Sequence, residues 1–214
     1  MAIYELKKQF PWRGPLSAKA VQVCRMFGLT LDRLTARAPV HACRIEIRAG
    51  DIVYLTGPSG AGKSVLLREL QRCVPRSKAV SLAHVGLPRD RTVIDCFEGD
   101  VLASLRTLST VGLSDVFSVL NRPGQLSDGQ KYRFRLARAL AAGKPFVFAD
   151  EFGSELDRIT AATVAYNVHR LVKRTGTTLI LASSRDDILL DLAPDVLIVK
   201  DFGGPAEVIY KNRR

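Results

Sequence analysis

The eight residues GPSGAGKS at 57–64 constrain this chain more than anything else in it. They sit between the apolar run DIVYLT (51–56) and the amphipathic start SVLLREL (64–70). A short apolar run that ends in glycine reads as a buried strand, and the leucine spacing behind it reads as a helix. The turn between them satisfies G-x-x-x-x-G-K-[ST] in the strand–loop–helix context that this pattern requires. Gly57, Gly60 and Gly62, with Pro58, Ser59 and Ala61 between them, let the backbone curl and aim its amides at phosphate oxygens. Lys63 is expected against the β- and γ-phosphates and the Ser64 hydroxyl on Mg²⁺. The helix opening through Ser64 and Val65 turns its positive dipole end to the same anion.

Two further strings follow in order. FVFADE (146–151) is an apolar run that ends in acid, so Asp150 stands where a strand-end carboxylate can hold Mg²⁺ directly or through water. Glu151 follows at once. LSDGQ (126–130) places Ser127 at the start of a helix, with Gln130 three residues later, the pattern of a capping box. Read alone it is a helix cap. SELD (154–157) is, as bare sequence, another cap.

Taken together, GPSGAGKS, LSDGQ, FVFADE and SELD resemble the ATP-binding cassette (ABC) ATPases over about residues 40–210. The resemblance implies a P-loop NTPase fold of ABC type: an α/β core with a mainly parallel sheet flanked by helices, a small antiparallel β edge and a shortened helical subdomain. It implies ATP and Mg²⁺ as ligands, with Ser64 and Asp150 on the metal and Glu151 activating the attacking water. It also implies a head-to-tail homodimer in which Ser127 and the Gly129 amide meet the γ-phosphate held by the opposing subunit. SELD, with Asp157 and Ser154, resembles the loop that carries signals between the two sites. Longer pieces, among them LSDGQKYRFRLARAL and LAPDVLIVK, are similar to a soluble ABC branch whose members are often fused to, or encoded beside, an acetyltransferase-like domain. No acetyltransferase motif is visible.

The chain also departs from the family. A histidine that contacts the γ-phosphate is expected after the strand TTLILAS (177–183), where this sequence reads Ser184, Arg185, Asp186. Spacing to Asp195 assigns that slot to Arg185, a cation that neutralises phosphate charge but exchanges no proton near neutral pH. Slow or partner-dependent hydrolysis is the expected consequence. The glutamine expected after the phosphate-loop helix is missing, with His84 and Asp90 as the polar residues nearby. For the aromatic that stacks on adenine, Phe27 has the best position, with Trp12 and Phe10 behind it; Phe27 could equally be core.

The remaining readings concern what the ATPase would drive. The 214 residues carry 32 basic and 21 acidic side chains, a net charge of +11. This excess fits nucleic acid, an acidic membrane surface, or a solvated surface around a phosphate site. From Lys63 to Ser127 is only 64 positions, shorter than in typical transporter cassettes. Short interval, missing glutamine and basic charge together favour a soluble ATPase that drives a nucleic-acid or protein partner. The alternative is the nucleotide-binding subunit of a membrane transporter. No stretch approaches the roughly 18 apolar residues of a membrane helix, and no signal-peptide core follows Lys7, Lys8 and Arg13, so a cytoplasmic location is expected. Cys24, Cys43, Cys73 and Cys96 lack metal-ligand spacing. One domain over 1–214 is expected, with 1–40 as an N-terminal extension.

Overall fold

The structure is a computed structural model that describes residues 1–10, 14, 16–36, 40–202 and 204–211. Strand β1 (Ala2–Gln9) leads through helices α1 (Ala18–Met26) and α2 (Leu31–Ala36) to β2 (Val40–Ile47). β2 returns antiparallel along β1, with Ala2 opposite Ile47 and Gln9 opposite Val40. Ser17 caps α1 by accepting the Ala20 amide at 3.2 Å. No residue of α1 is buried, so its cap and not its packing marks where it begins.

The larger sheet starts with β3 (Ile52–Thr56), which passes through the glycine-rich loop into α3 (Lys63–Cys73) and then β4 (Ala79–Ser81). Helices α4 (Val101–Thr110), α5 (Val116–Leu120) and α6 (Asp128–Ala141) follow before β5 (Phe146–Ala149), α7 (Arg158–Thr175) and β6 (Thr178–Ala182). The short α8 (Leu189–Leu192), β7 (Val196–Val199) and β8 (Glu207–Tyr210) complete the element order. The strand order is β4-β5-β6-β3-β7-β8, parallel throughout except for the antiparallel β7–β8 pair. This is the mainly parallel α/β sheet with a small antiparallel edge that the motif order implies.

All five residues of β3 are buried, as a central strand covered on both faces requires. Ile52 and Tyr54 join the core beneath α4, α6 and α7, while Val53 and Leu55 join the core under α3 and the β1–β2 hairpin. The period-2 alternation of strand side chains produces that division. Beyond α3 and β4, the 64-position interval folds into α4, α5 and short 3-10 turns such as Leu82–His84 and Ile94–Cys96. The segment 80–87 contributes only the end of β4 before turning, and 92–97 makes one tight turn.

Candidate functional site

Parallel strands deliver their carboxyl ends to one edge of the sheet, where α/β proteins bind ligands. Here Leu55 pairs with Ala182 and Ala149 with Leu181, so the residues just beyond β3, β5 and β6 converge. They enclose a cleft of about 320 Å³. Ser59, Gly60, Gly62, Lys63, Ser64, Val65, Asp150 and Glu151 line it, and Ser183 and Ser184 close the far wall. Gly57, Pro58 and Ala61 form the rest of the loop, with Ala61 buried.

Lys63 is 8% exposed and spends its three protons on the Gly57 carbonyl at 2.7 Å, the Pro58 carbonyl at 2.9 Å and the Ser184 hydroxyl at 2.8 Å. Burial pulls its pKa below the ordinary lysine value, against the opposing pull of Asp150, Asp186 and Glu151. The Ser64 hydroxyl donates to Asp150 Oδ1 at 2.9 Å, which also accepts the Glu151 amide at 3.1 Å. Glu151 holds a left-handed backbone, φ 52°, an arrangement that costs about 1–3 kcal/mol and recurs at functional sites.

The donor set is chemically suited to a magnesium-bound triphosphate. Hydroxyl and carboxylate oxygens are the hard ligands that Mg²⁺ prefers, and it fills its other positions with phosphate oxygens and water. Among the described residues no group of three or more His, Cys, Asp or Glu could hold a metal alone. Ser64 and Asp150 therefore suit a cation that arrives with its phosphates.

Ser184, and not Arg185, faces the cleft. Ser183 donates its amide to the Leu55 carbonyl at 3.0 Å, continuing the β6 ladder by one residue. That register turns Ser184 toward Lys63. The guanidinium of Arg185 lies outside the cleft lining and bonds Asp187 and the carbonyls of Gly153 and Leu156. Counting back from Asp195 crossed α8 and its flanking turns, whose length sets the offset. Counting two residues beyond the last apolar position of the strand, Ala182, would have found Ser184.

Phe27 caps α1 at 75% exposure and does not line the cleft. Trp12 lies outside the described residues. Phe10 stands edge-on to His41, with ring centroids 5.9 Å apart. The His41 ring in turn presses on the glycine-rich loop so closely that a Cβ on Gly62 would overlap it. Phe10 does not line the cleft either; it touches the His41 ring that packs on the loop. His84 and Asp90 are both exposed and do not line the cleft.

Ser127 and Gly129 belong to the start of α6 and do not line the cleft of their own chain. Ser127 caps α6 by accepting the Gln130 amide at 3.3 Å, while its own amide donates to the Gln130 side chain at 2.9 Å. Its side chain is exposed. The capping box read from the bare sequence is therefore present, and the helix end that carries it faces outward.

No protein-family model matches the chain. It is 31% identical over 189 residues to the aliphatic sulfonates import ATP-binding protein SsuB 1 of Paracoccus denitrificans, covering 80% of this chain and 77% of that one. It is 30% identical over 219 residues to the methionine import ATP-binding protein MetN of Xylella fastidiosa, with 85% of this chain aligned but only 63% of the relative's length. Among solved structures, a dimeric ATP-binding cassette in a post-hydrolysis state with ADP and Pi superposes with a TM-score of 0.65 at 19% identity. That match covers 82% of this chain and 93% of the other.

Proposed function

The chain belongs to the ATP-binding cassette family of ATPases, and on that premise we propose that it is the nucleotide-binding subunit of a membrane transporter, one cassette over residues 1–214. Its activity is ATP hydrolysis. The expectation of a soluble ATPase driving nucleic acid or a protein partner is overturned by relatives that are import ATP-binding proteins. The short interval misled because a transporter surface needs exposed apolar side chains on short helices, and the number of residues between motifs does not measure that.

One observation supports the reading most directly. Val101 and Leu102 on α4, and Val116, Phe117 and Leu120 on α5, are between 56% and 80% exposed. An apolar group of this size, built by the segment between the phosphate loop and α6, is the kind of surface that marks a binding partner. Among the described residues no helix is long and apolar enough to cross a membrane, so a membrane span would come from the partner. The test is crosslinking in native membranes. The chain is expected to crosslink to a multi-span membrane protein, and Phe117→Asp is expected to abolish the adduct while basal ATPase persists. Recovery without any membrane adduct, together with turnover stimulated by duplex DNA and lost with salt, would reverse the reading.

In the chemistry we propose, loop amides and Lys63 hold the β- and γ-phosphates, and Ser64 and Asp150 hold Mg²⁺. The bound cation neutralises charge that develops on the transferred phosphoryl group. Glu151 orients the attacking water, and Ser184 supplies a neutral hydroxyl where an ionisable imidazole is common in the family. Ser127 and Gly129 complete the partner protomer's site in a head-to-tail homodimer, a cytoplasmic-side assembly. Phe10, backed by His41, forms the adenine wall. Phe10→Ala is expected to raise the KM for ATP about fivefold or more with kcat little changed, since one base–aromatic stack contributes roughly 1–3 kcal/mol. Phe27→Ala is expected to leave KM unaltered; steady-state kinetics of the pair distinguishes the two aromatics.

A further inference from the structure

The loop over residues 153–156 is gripped from two sides. On one side Arg185 Nη1 donates to the Gly153 carbonyl at 2.9 Å and the Leu156 carbonyl at 2.5 Å. On the other, the Gly153 amide donates to the Tyr132 hydroxyl of α6 at 3.4 Å. The start of α6 also approaches so closely that a Cβ on Gly129 would stand 2.9 Å from the Glu155 carbonyl oxygen. Any displacement of this loop therefore acts on the end of α6 that carries Ser127 and Gly129.

Arg185 is itself fixed. Its Nε and Nη2 fork onto the two Asp187 oxygens at 3.0 and 2.7 Å, and those bonds hold the Asp187 carboxyl below the usual carboxylate range. Its backbone amide donates to the Ser183 hydroxyl at 3.2 Å, and its carbonyl accepts the Tyr54 hydroxyl at 2.5 Å. The adjacent residue is Ser184, in contact with Lys63 Nζ. One guanidinium thus joins a carboxylate and two loop carbonyls through all three nitrogens, a planar fork that an ammonium cannot reproduce. Apart from these bonds the loop has local turn contacts, Ser154 N to Glu151 O at 3.0 Å and Leu156 N to Gly153 O at 3.1 Å.

We propose that Arg185 is the positioning residue that locks the 153–156 loop to the phosphate-facing end of β6, so that a shift at Lys63 and Ser184 reaches the outward-facing start of α6. The proposal rests on the site reading above: Arg185 touches no phosphate and acts through the loop.

Two measurements on the full chain test it. Without nucleotide, hydrogen exchange of the 153–156 amides is expected to speed up about tenfold in Arg185→Ala, the scale of losing one or two net hydrogen bonds that hold a local segment. Unchanged exchange would overturn the lock whether or not the cleft binds ATP, so a failure of the site reading is seen separately, as wild-type protein that binds no ATP. In a Glu151→Gln background, the ATP-driven dimer is expected to weaken about tenfold in Arg185→Ala while monomer affinity for a fluorescent ATP analogue stays within about twofold, as loss of a positioning contact predicts. Arg185→Lys is expected to restore neither. A matching loss of analogue affinity would make Arg185 a nucleotide contact and overturn the proposal, as would full rescue by lysine.

Discussion

Lys63→Ala is expected to lower ATP turnover about 10²–10³-fold, the scale for removing one preorganised charge-stabilising donor. The reason is the lysine's position as well as its charge. It stands at the first turn of α3, 8% exposed, and reaches across the cleft from the Gly57 and Pro58 carbonyls to Ser184. A triphosphate in the loop would meet a charge already fixed and largely desolvated, so little reorganisation is needed when charge builds on the transferred group. The protein should remain folded, because the carbonyls left behind line an open cleft where water can replace the ammonium. Arg68→Ala is the control. Arg68 also lines the cleft, one turn further along α3, but it is exposed and forms no ion pair among the described residues. Its loss is expected to change turnover less than about threefold, as loosely held surface charges do. Steady-state ATPase assays with equilibrium nucleotide binding check both variants. Turnover within a few-fold of wild type in Lys63→Ala would refute the assignment of this cleft as the catalytic site.

The elements legible in the sequence were those whose pattern and burial agree. β3, β5 and β6 are short apolar runs bounded by glycine or acid, and the structure buries all of β3 and β6. α6 and α7 carry both a cap and a spaced apolar face, and both form close to where the sequence places them. β1 and β8 escaped notice for a physical reason. Only Leu6 of β1 is buried, with Tyr4 packed beside it, and β8 contributes only half-buried Val208, so each apolar face is too short to declare itself. β1 exists because β2 pairs with it along its full length, which is tertiary information.

The same limit applies to the candidate site. The glycine-rich loop, Asp150 and Glu151 are contiguous strings, and strings are readable. The roles proposed for Ser184 and Phe10 depend on register, with Ser184 two residues beyond β6 and Phe10 one beyond β1. A single-residue error in register turns a strand-end side chain to the opposite side. That is why Arg185, adjacent in sequence and strongly charged, was the more conspicuous candidate. The basic excess points nowhere specific, since Lys63 and Arg68 are the basic side chains that line the cleft among the described residues.

Gly57→Ala should be among the most destabilising single changes in the chain. Gly57 turns the backbone out of β3 at φ 135°, a conformation closed to residues with a Cβ. A Cβ there would overlap the carbonyl oxygen of Lys200, just past β7. Neither partner can yield cheaply. The Lys200 amide is bonded to the Thr56 carbonyl at 2.9 Å, extending the β3–β7 ladder, and the Gly57 carbonyl is bonded to Lys63. Relief would require β3 and β7 to part or the loop to rotate away from the cleft. Strain and overlap together are expected to cost about 3 kcal/mol, which lowers the melting temperature by roughly 6–12 °C in a domain of this size. Loop rotation should also remove ATP binding, since the same peptide positions Lys63. Gly86→Ala is the matched comparison: a Cβ there meets nothing within 4 Å, and the backbone is not left-handed. Its effect should stay within about 0.5 kcal/mol. Thermal unfolding of the two variants, followed by nucleotide titration of whichever remains folded, gives the answer. Equal melting temperatures would mean that the turn out of β3 is not the constrained junction described here.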